Sequence, residues 1–269
     1  MAEHAVRVQR IASLDLEVVE AASDRTFSKH IHDQYGIGLL LHGAQQSASG
    51  RGPVEATAGD LISVNPGEVH DGKPIGLQGR RWHMLYLSPQ RVQAVLDDMA
   101  ADRAQPAAEL SYPVLRHAQA AARFQTLYQT VRQPSGRDHA LVLDETLPLL
   151  LAQLLDRPLP PAPAADSAAG RARSRIDDAP LHAVSLAELA QEAGLSRFQL
   201  IRAFTRLTGL TPHAYLLQRR LLWVRQQIAT GMPLAEAAHV SGFADQSHMT
   251  RCFVRSFGYT PGRYAQPAR

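Results

Sequence analysis

Hydrophobic residues follow two different rhythms along this 269-residue chain. Between about residues 25 and 87 they come in short runs: GIGLLLHG from Gly36, DLISVN from Asp60 and RRWHMLYL from Arg80. Each run is set off by Gly, Pro, Asp or Asn, and runs of this kind predict strands. Closely spaced glycines and prolines from Gly50 to Gly79 supply the turns, so the segment predicts a small antiparallel barrel or sandwich. From about Ser88 the period lengthens, and 89–101, 114–132 and 138–156 predict helices. The last carries a broad stripe of Leu141, Leu143, Leu147, Leu150, Leu151, Leu154 and Leu155. Such a stripe packs a helix on its own domain, with a dimer seam as a second use. Residues 157–170, RPLPPAPAADSAAG, read as a stiff linker without core residues.

The helical remainder says the same thing twice. Leu200, Arg202, Phe204, Arg206, Gly209, Thr211, Pro212 and Tyr215 recur 49 positions later as Met249, Arg251, Phe253, Arg255, Gly258, Thr260, Pro261 and Tyr264. Upstream, Leu186, Ala187, Glu188, Ala190 and Gly194 recur at an offset of 48. A repeat of this size predicts a duplicated supersecondary unit. Each copy reads as helix, glycine turn and capped second helix, the pattern of a helix-turn-helix. Ser185 with Glu188 forms a capping box, Ser196 caps the first reading helix and Asp245 the second. Pro212 to Ile228 predicts one continuous helix between the copies. It would hold two reading helices at the separation of roughly 34 Å that successive grooves require.

Charge sharpens this picture. Residues 171–269 hold 13 Arg, no Lys and 6 acids, a net +7, whereas residues 1–170 carry −4. A basic helical head on a mildly acidic partner domain fits a polyanion binder. The single cysteine, Cys252, permits no internal disulfide, and neither a signal core nor a membrane-length apolar run is present, so a cytoplasmic protein is expected.

On the first reading helix Leu200, Phe204 and Leu207 share the core face, leaving Arg197, Phe198, Ile201, Arg202 and Thr205 pointing elsewhere. Phe198 and Ile201 are either base-facing or core. On the second, Phe243, Met249 and Phe253 face inward while Gln246, Ser247, Thr250 and Arg251 form the other face. Gln can read adenine and Arg guanine, Arg255 is better placed for phosphate, and Arg206 joins the expected DNA-binding residues. The stretches LAELAQEAGLSRFQLIRAFTRLTGLTPHAYL and AAHVSGFADQSHMTRCFVRSFGYTPGRYA resemble the AraC/XylS family of bacterial transcription regulators. The resemblance implies base contacts from Phe198, Ile201 and Arg202 in the first unit, and from Gln246, Ser247, Thr250 and Arg251 in the second.

In the N-terminal part, His30-Ile31-His32 precedes Pro66-Gly67-Glu68-Val69-His70, which looks like the second motif of cupin barrels. Metal cupins add a glutamate after the first pair, but here Gln34, Tyr35, Gly36 and Ile37 occupy its place. Three imidazoles alone can hold zinc; they can equally be hydrogen-bonded strand residues or line a ligand pocket. Trp82, Met84 and Tyr86 alternate onto one face of their strand, which is a pocket wall if it points into the barrel and core if it points at the helices. The expectation is a pocket for a small polar effector lined by His30, His32, His70, Trp82, Met84 and Tyr86, with no metal and no cofactor.

The chain is thus expected to be an α+β multidomain protein: a cupin-like antiparallel β-barrel with following helices over 1–156, a linker over 157–170, and an all-α domain with two helix-turn-helix units over 171–269. Its expected partners are double-stranded DNA, a small-molecule effector, a second copy of itself through the N-terminal half, and RNA polymerase, with no membrane. A metal-dependent cupin enzyme with a DNA-binding tail is the competing class, and the missing glutamate argues against it. A constitutive DNA binder whose barrel only dimerises is the third.

Overall fold

The computed structural model describes residues 4–50, 52–99, 109–132, 139–156 and 167–266. It divides into a β-rich and a helical compact unit, with the main break in sequence after Leu159. The β-rich unit runs β1 (Ala5–Ile11), β2 (Leu16–Ser23), β3 (Phe27–His30), β4 (Tyr35–His42), β5 (Ala44–Ser49), β6 (Gly52–Thr57), β7 (Leu61–Val64), β8 (His70–Ile75) and β9 (Arg80–Leu87). Then follow α1 (Pro89–Met99), β10 (Glu109–Leu110), β11 (Val114–Leu115), α2 (Ala118–Arg132), α3 (His139–Leu154) and β12 (Leu155–Asp156). The predicted helix over 114–132 is therefore shorter at its start, because Val114 and Leu115 pair with β7 instead.

Two sheets carry the unit. One has six strands in the order β1-β2-β9-β4-β7-β11, and the other four in the order β3-β8-β5-β6. The hairpin β1–β2 was not legible as strand, since charged residues interrupt it every few positions. It pairs in full register from Ala5 opposite Ala22 to Ile11 opposite Leu16. In β9 the side chains split by the period of two. Leu85 and Leu87 join Val18 and Leu16 of β2 and Ile37 and Tyr35 of β4 in a core closed by Phe124, Leu127 and Tyr128 of α2. His83 stacks on Tyr128 with ring centroids 4.0 Å apart.

Leu143, Leu147, Leu150, Leu151 and Leu154 of α3 are all buried in that same core. Burying each contributes about 1.5–3 kcal/mol. The leucine stripe is thus consumed within its own domain and is not available as a dimer seam. Leu141 lies outside the described side chains, and among the described leucines of α3 only Leu149, on the opposite face, is half exposed.

The opposite face of β9 lies over glycines. Gly36 stands opposite Tyr86 and Gly38 opposite Met84 in the β4–β9 register. A methyl added to Gly38 would strike the Met84 sulfur and come 2.7 Å from the His83 carbonyl oxygen. The Met84 side chain therefore lies across a strand that has no side chain to push it off.

The helical unit holds α4 (Ala168–Asp178), α5 (Leu186–Ala193), α6 (Arg197–Thr208), α7 (Pro212–Ala229), α8 (Leu234–Val240), α9 (Gln246–Phe257) and α10 (Pro261–Tyr264). The run 157–166 lies outside the described residues. Residues 167–170, assigned to the linker by composition, begin a helix instead: the Ser167 hydroxyl accepts from the Gly170 N–H, and Ala169, Ala172 and Ile176 are buried. Asp177 at its end accepts from the Tyr215 hydroxyl at 2.9 Å and pairs with Arg219 at 3.0 Å. The long connector α7 forms as predicted, capped by Thr211 with Pro212 in its first turn.

Gly38→Ala is expected to lower unfolding free energy by about 1–3 kcal/mol through overpacking. Gly50→Ala, whose methyl would meet nothing nearer than 3.6 Å, should stay within about 0.5 kcal/mol. Urea denaturation of both variants checks this, and equal midpoints would show spare room over β4. A fragment from Ser167 onward is expected to fold alone, with a helical circular dichroism spectrum and one cooperative transition. A fragment starting after Asp178 should lose that cooperativity, because the buried face of α4 and the Asp177 contacts go with it. Equal stability of the two fragments would remove α4 from the folding unit.

Candidate functional site

The repeated residues build the scaffold of each reading helix. α6 starts on a reciprocal capping box between Ser196 and Gln199 and ends at Gly209, whose φ of 76° is the left-handed conformation a glycine adopts without strain. α9 starts at Asp245, whose carboxylate accepts from the His248 N–H, and ends at Gly258 with φ 81°. Leu200 and Phe204, and their counterparts Met249 and Phe253, are fully buried. Phe204 meets Tyr215 edge to face at 5.5 Å, and Phe253 packs on Tyr264 at 6.3 Å. The same apolar pair thus anchors each second helix.

What remains outside is the reading face. Arg197, Phe198, Arg202 and Arg206 of α6 are exposed, as are Gln246, Ser247, Arg251 and Arg255 of α9, while Thr250 is half-buried. Phe198 is 66% exposed, so it is not a core residue. Its ring lies 5.6 Å from the Arg202 guanidinium, a stacking that holds a flat cation on the helix surface. Ile201 is placed differently: it is half-buried and lines an apolar groove of about 390 Å³ with Ile176, Leu189 and Leu216.

Several arginines of the head are structural, which composition could not show. Arg225 is buried and stacks on Phe257 at 5.3 Å and Tyr264 at 4.9 Å. Arg220 donates to the carbonyls of Pro180 and Gly242, the second being the turn ahead of α9. Arg219 is held by Asp177. All three sit on α7, an apolar connector. That setting was the available sign that these arginines serve packing.

Five of the expected pocket residues, His32, His70, Trp82, Met84 and Tyr86, belong to the β-rich unit, and they form two groups. His32 stacks on His70 at 5.2 Å and meets the Tyr86 ring at 4.6 Å. His30, His32 and His70 each bring a ring nitrogen within 4.8 Å of the others. The Nδ1 of His30 lies 2.7 Å from the Ser28 carbonyl, and that of His70 lies 3.2 Å from the Glu68 carbonyl. A carbonyl only accepts, so both Nδ1 carry a proton, and in a neutral ring the lone pair is then on Nε2. Burial pushes the His70 ring down to about 4, so it stays neutral at ordinary pH. Neutral imidazoles can hold a metal, but a tetrahedral zinc needs nitrogens about 3.3 Å apart, so the rings would have to close in. No carboxylate belongs to the group. The Glu68 carboxylate is turned away, accepting from Gly50 N–H and from the backbone and side chain of Asn65.

Trp82 sits four residues from Tyr86 on β9, about 13 Å along the strand. It meets Phe27 edge to face at 5.9 Å and lies 4.8 Å from the Arg80 guanidinium. Met84 lies between the groups and is buried. Arg80 was missed in the sequence. Extending the Trp82–Met84–Tyr86 alternation one step back puts it on the same face.

A model of the AraC-like ligand binding domain matches residues 13–151, and a helix-turn-helix domain model matches residues 189–267. The HTH-type transcriptional regulator YbfI of Bacillus subtilis, itself uncharacterized, is 26% identical over 228 residues, covering 83% of this chain and 81% of its own. The transcriptional activator RclR of Escherichia coli is 35% identical over 91 residues, 34% of this chain and 32% of its own. Among solved structures, ToxT from Vibrio cholerae aligns over 93% of this chain and 97% of its own with a TM-score of 0.54 at 12% identity, a likeness of fold. No described helix is long and apolar enough to cross a membrane. With one model spanning the β-rich unit and a second the duplicated head, the chain belongs to the AraC family of DNA-binding transcription regulators, joins a ligand-binding domain to a helix-turn-helix domain, and is not an enzyme.

Proposed function

We propose that the chain is a cytoplasmic, sequence-specific regulator that reads two successive major-groove segments. Its activity is set by a small polar effector in the barrel. The observation that carries the DNA reading is the pairing of Arg202 with Arg251 at equivalent exposed positions on two separately capped helices. Base contacts come from Arg197, Phe198 and Arg202 of α6 and from Gln246, Ser247, Thr250 and Arg251 of α9, with Ile201 reaching bases only from the edge of its apolar groove. Arg206 and Arg255 lie in the last turns of their helices. From there they reach phosphate, which fixes register without reading sequence.

The effector reading is supported by the polar groups gathered on the barrel face of β9 and its neighbours. His30, His32, His70 and Tyr86 supply hydrogen-bonding groups in one cluster, Trp82 supplies a stacking wall, and Met84 spans the space between. One ToxT structure holds an unsaturated fatty acid; this chain instead offers the polar side chains of His32, His70 and Tyr86 to an effector. Two heads tethered in a homodimer gain affinity for paired half-sites, and the outer face of α3, where Leu149 is 50% exposed, is the surface we assign to that contact. RNA polymerase is the further partner a regulator of this kind addresses.

Arg251→Ala is expected to cost about 1–3 kcal/mol on the specific site and to relax preference at one base pair. Arg255→Ala should weaken all sequences alike and lower the salt slope by about 1. Titrations on a selected site and on random DNA at several salt concentrations separate the two. Equal losses on both DNAs for Arg251→Ala would reduce it to a phosphate contact. The full chain is also expected to sediment as a dimer at tens of micromolar, with Leu149→Glu shifting it to monomer. A wild-type monomer both with and without its DNA site would end the dimer reading.

A further inference from the structure

The barrel face of β9 holds a charge that nothing in the described protein neutralises. Arg80 is 3% exposed. One Nη donates to the Arg25 carbonyl at 3.3 Å and the other to the Gly72 carbonyl at 3.1 Å. Its Nε is buried with no hydrogen-bond partner. The guanidinium lies against two aromatic rings, 5.6 Å from Phe27 and 4.8 Å from Trp82. Among the described residues no carboxylate pairs with it. The buried acids are Glu17 and Asp60. Asp60 is taken by Thr57 and Arg116, and Glu17 stands opposite Tyr86 in the sheet register, six residues or about 20 Å along β9 from Arg80.

An isolated buried cation is costly unless something offsets it. Carbonyl dipoles and aromatic faces offset part of that cost. Burial alone lowers the Arg80 pKa to about 10, as expected of a cation lacking a counter-charge. A guanidinium also has five N–H groups, and the carbonyls of Arg25 and Gly72 take two of them. The free Nε–H and the second hydrogens on each Nη remain for an acceptor, in the fork geometry that fits a carboxylate.

We propose that the effector is a small organic carboxylate whose acid group docks on Arg80 and whose body stacks on Trp82. This rests on the effector reading above and narrows it to an anion. One guanidinium between two aromatic rings suits a planar group with a single charge. A phosphate dianion would call for more donors than a single cation walled by rings supplies. Gly72 lies two residues from His70 on β8, about 7 Å along the strand. A carboxylate on Arg80 with a second polar group some 7 Å away could therefore also engage the imidazole cluster.

The test uses the full-length protein with benzoate and hexanoate. Benzamide and hexanamide serve as uncharged isosteres, arabinose as a neutral polar probe and inorganic phosphate as the other anion. The chain has two tryptophans, Trp82 and Trp223, so Trp223→Phe leaves Trp82 as the sole emitter. A carboxylate is expected to change Trp82 emission and, at a hundred-fold excess over its Kd, to raise the melting temperature by about 5 °C. The matching amide should do neither. Arg80→Gln should weaken carboxylate binding by about 10- to 100-fold. If Arg80→Gln does not fold, the carboxylate–amide contrast at Trp82 in the Trp223→Phe protein decides by itself. Binding of the amides or of arabinose that equals or exceeds that of the acids, with Arg80→Gln unaffected, would overturn the anionic class and leave the effector reading standing. Phosphate binding without carboxylate binding would overturn the carboxylate assignment. No response to any probe up to about 10 mM would overturn both readings together.

Discussion

The two-residue period of β9 is the constraint on which the β-rich unit depends. A strand in the middle of a sheet must present every second side chain to each side. On one side Leu85 and Leu87 are locked into the helix-packed core, and His83 lies flat on Tyr128. Once those contacts fix the register, Arg80, Trp82, Met84 and Tyr86 have no other place than the barrel side. A slip of one residue would turn Arg80 toward the leucines and Leu85 away from them, a cost of several kcal/mol on either count. The polar chemistry of the barrel is thereby positioned by apolar packing on the far face of the same strand.

The head solves a different problem, that of holding two reading surfaces on one rigid support. Its solution is visible in which residues the repeat keeps. Gly209 and Gly258 stop the helices, Thr211 and Thr260 cap the next ones, and Tyr215 and Tyr264 pack against the preceding phenylalanine. These positions carry the fold. The first-turn surface positions do not repeat: Arg197 and Phe198 in one copy stand where Gln246 and Ser247 stand in the other. Identical scaffolds with unlike faces can address two unlike base sequences, which a perfect repeat could not.

Much of this was legible in the sequence because its signals are local. Caps, glycine stops and the 49-residue echo each depend on a few neighbouring residues, so the head's helices and turns could be placed almost residue by residue. The strands β1 and β2 were not legible, because their charged positions face outward or pair across the sheet, and a hairpin of that kind lacks a continuous apolar run. The start of α4 was hidden by composition, since alanines and a glycine after a proline-rich stretch look like linker until the partners of Ala169, Ala172 and Ile176 are known. The leucines of α3 were legible as a stripe, but which partner would cover them is a tertiary question that periodicity does not answer.

The arginines show most clearly where such reading stops. Composition assigns the head a surplus of positive charge, and a surplus points to a polyanion. Yet Arg225 is stacked inside on two aromatic rings, Arg220 fastens a turn, and Arg219 answers Asp177. Arg202, Arg206, Arg251 and Arg255 stand exposed on the two reading helices. Arginine serves both ends because its guanidinium is flat, always charged and weakly hydrated, so it stacks and donates in a protein interior almost as readily as it meets phosphate. Its role therefore follows from its neighbours. Where these are carbonyls, rings and a carboxylate, the group is complete within the fold. Where carbonyls and rings surround it but the carboxylate is missing, as at Arg80, the protein has built all of an ion-pair site except its negative half.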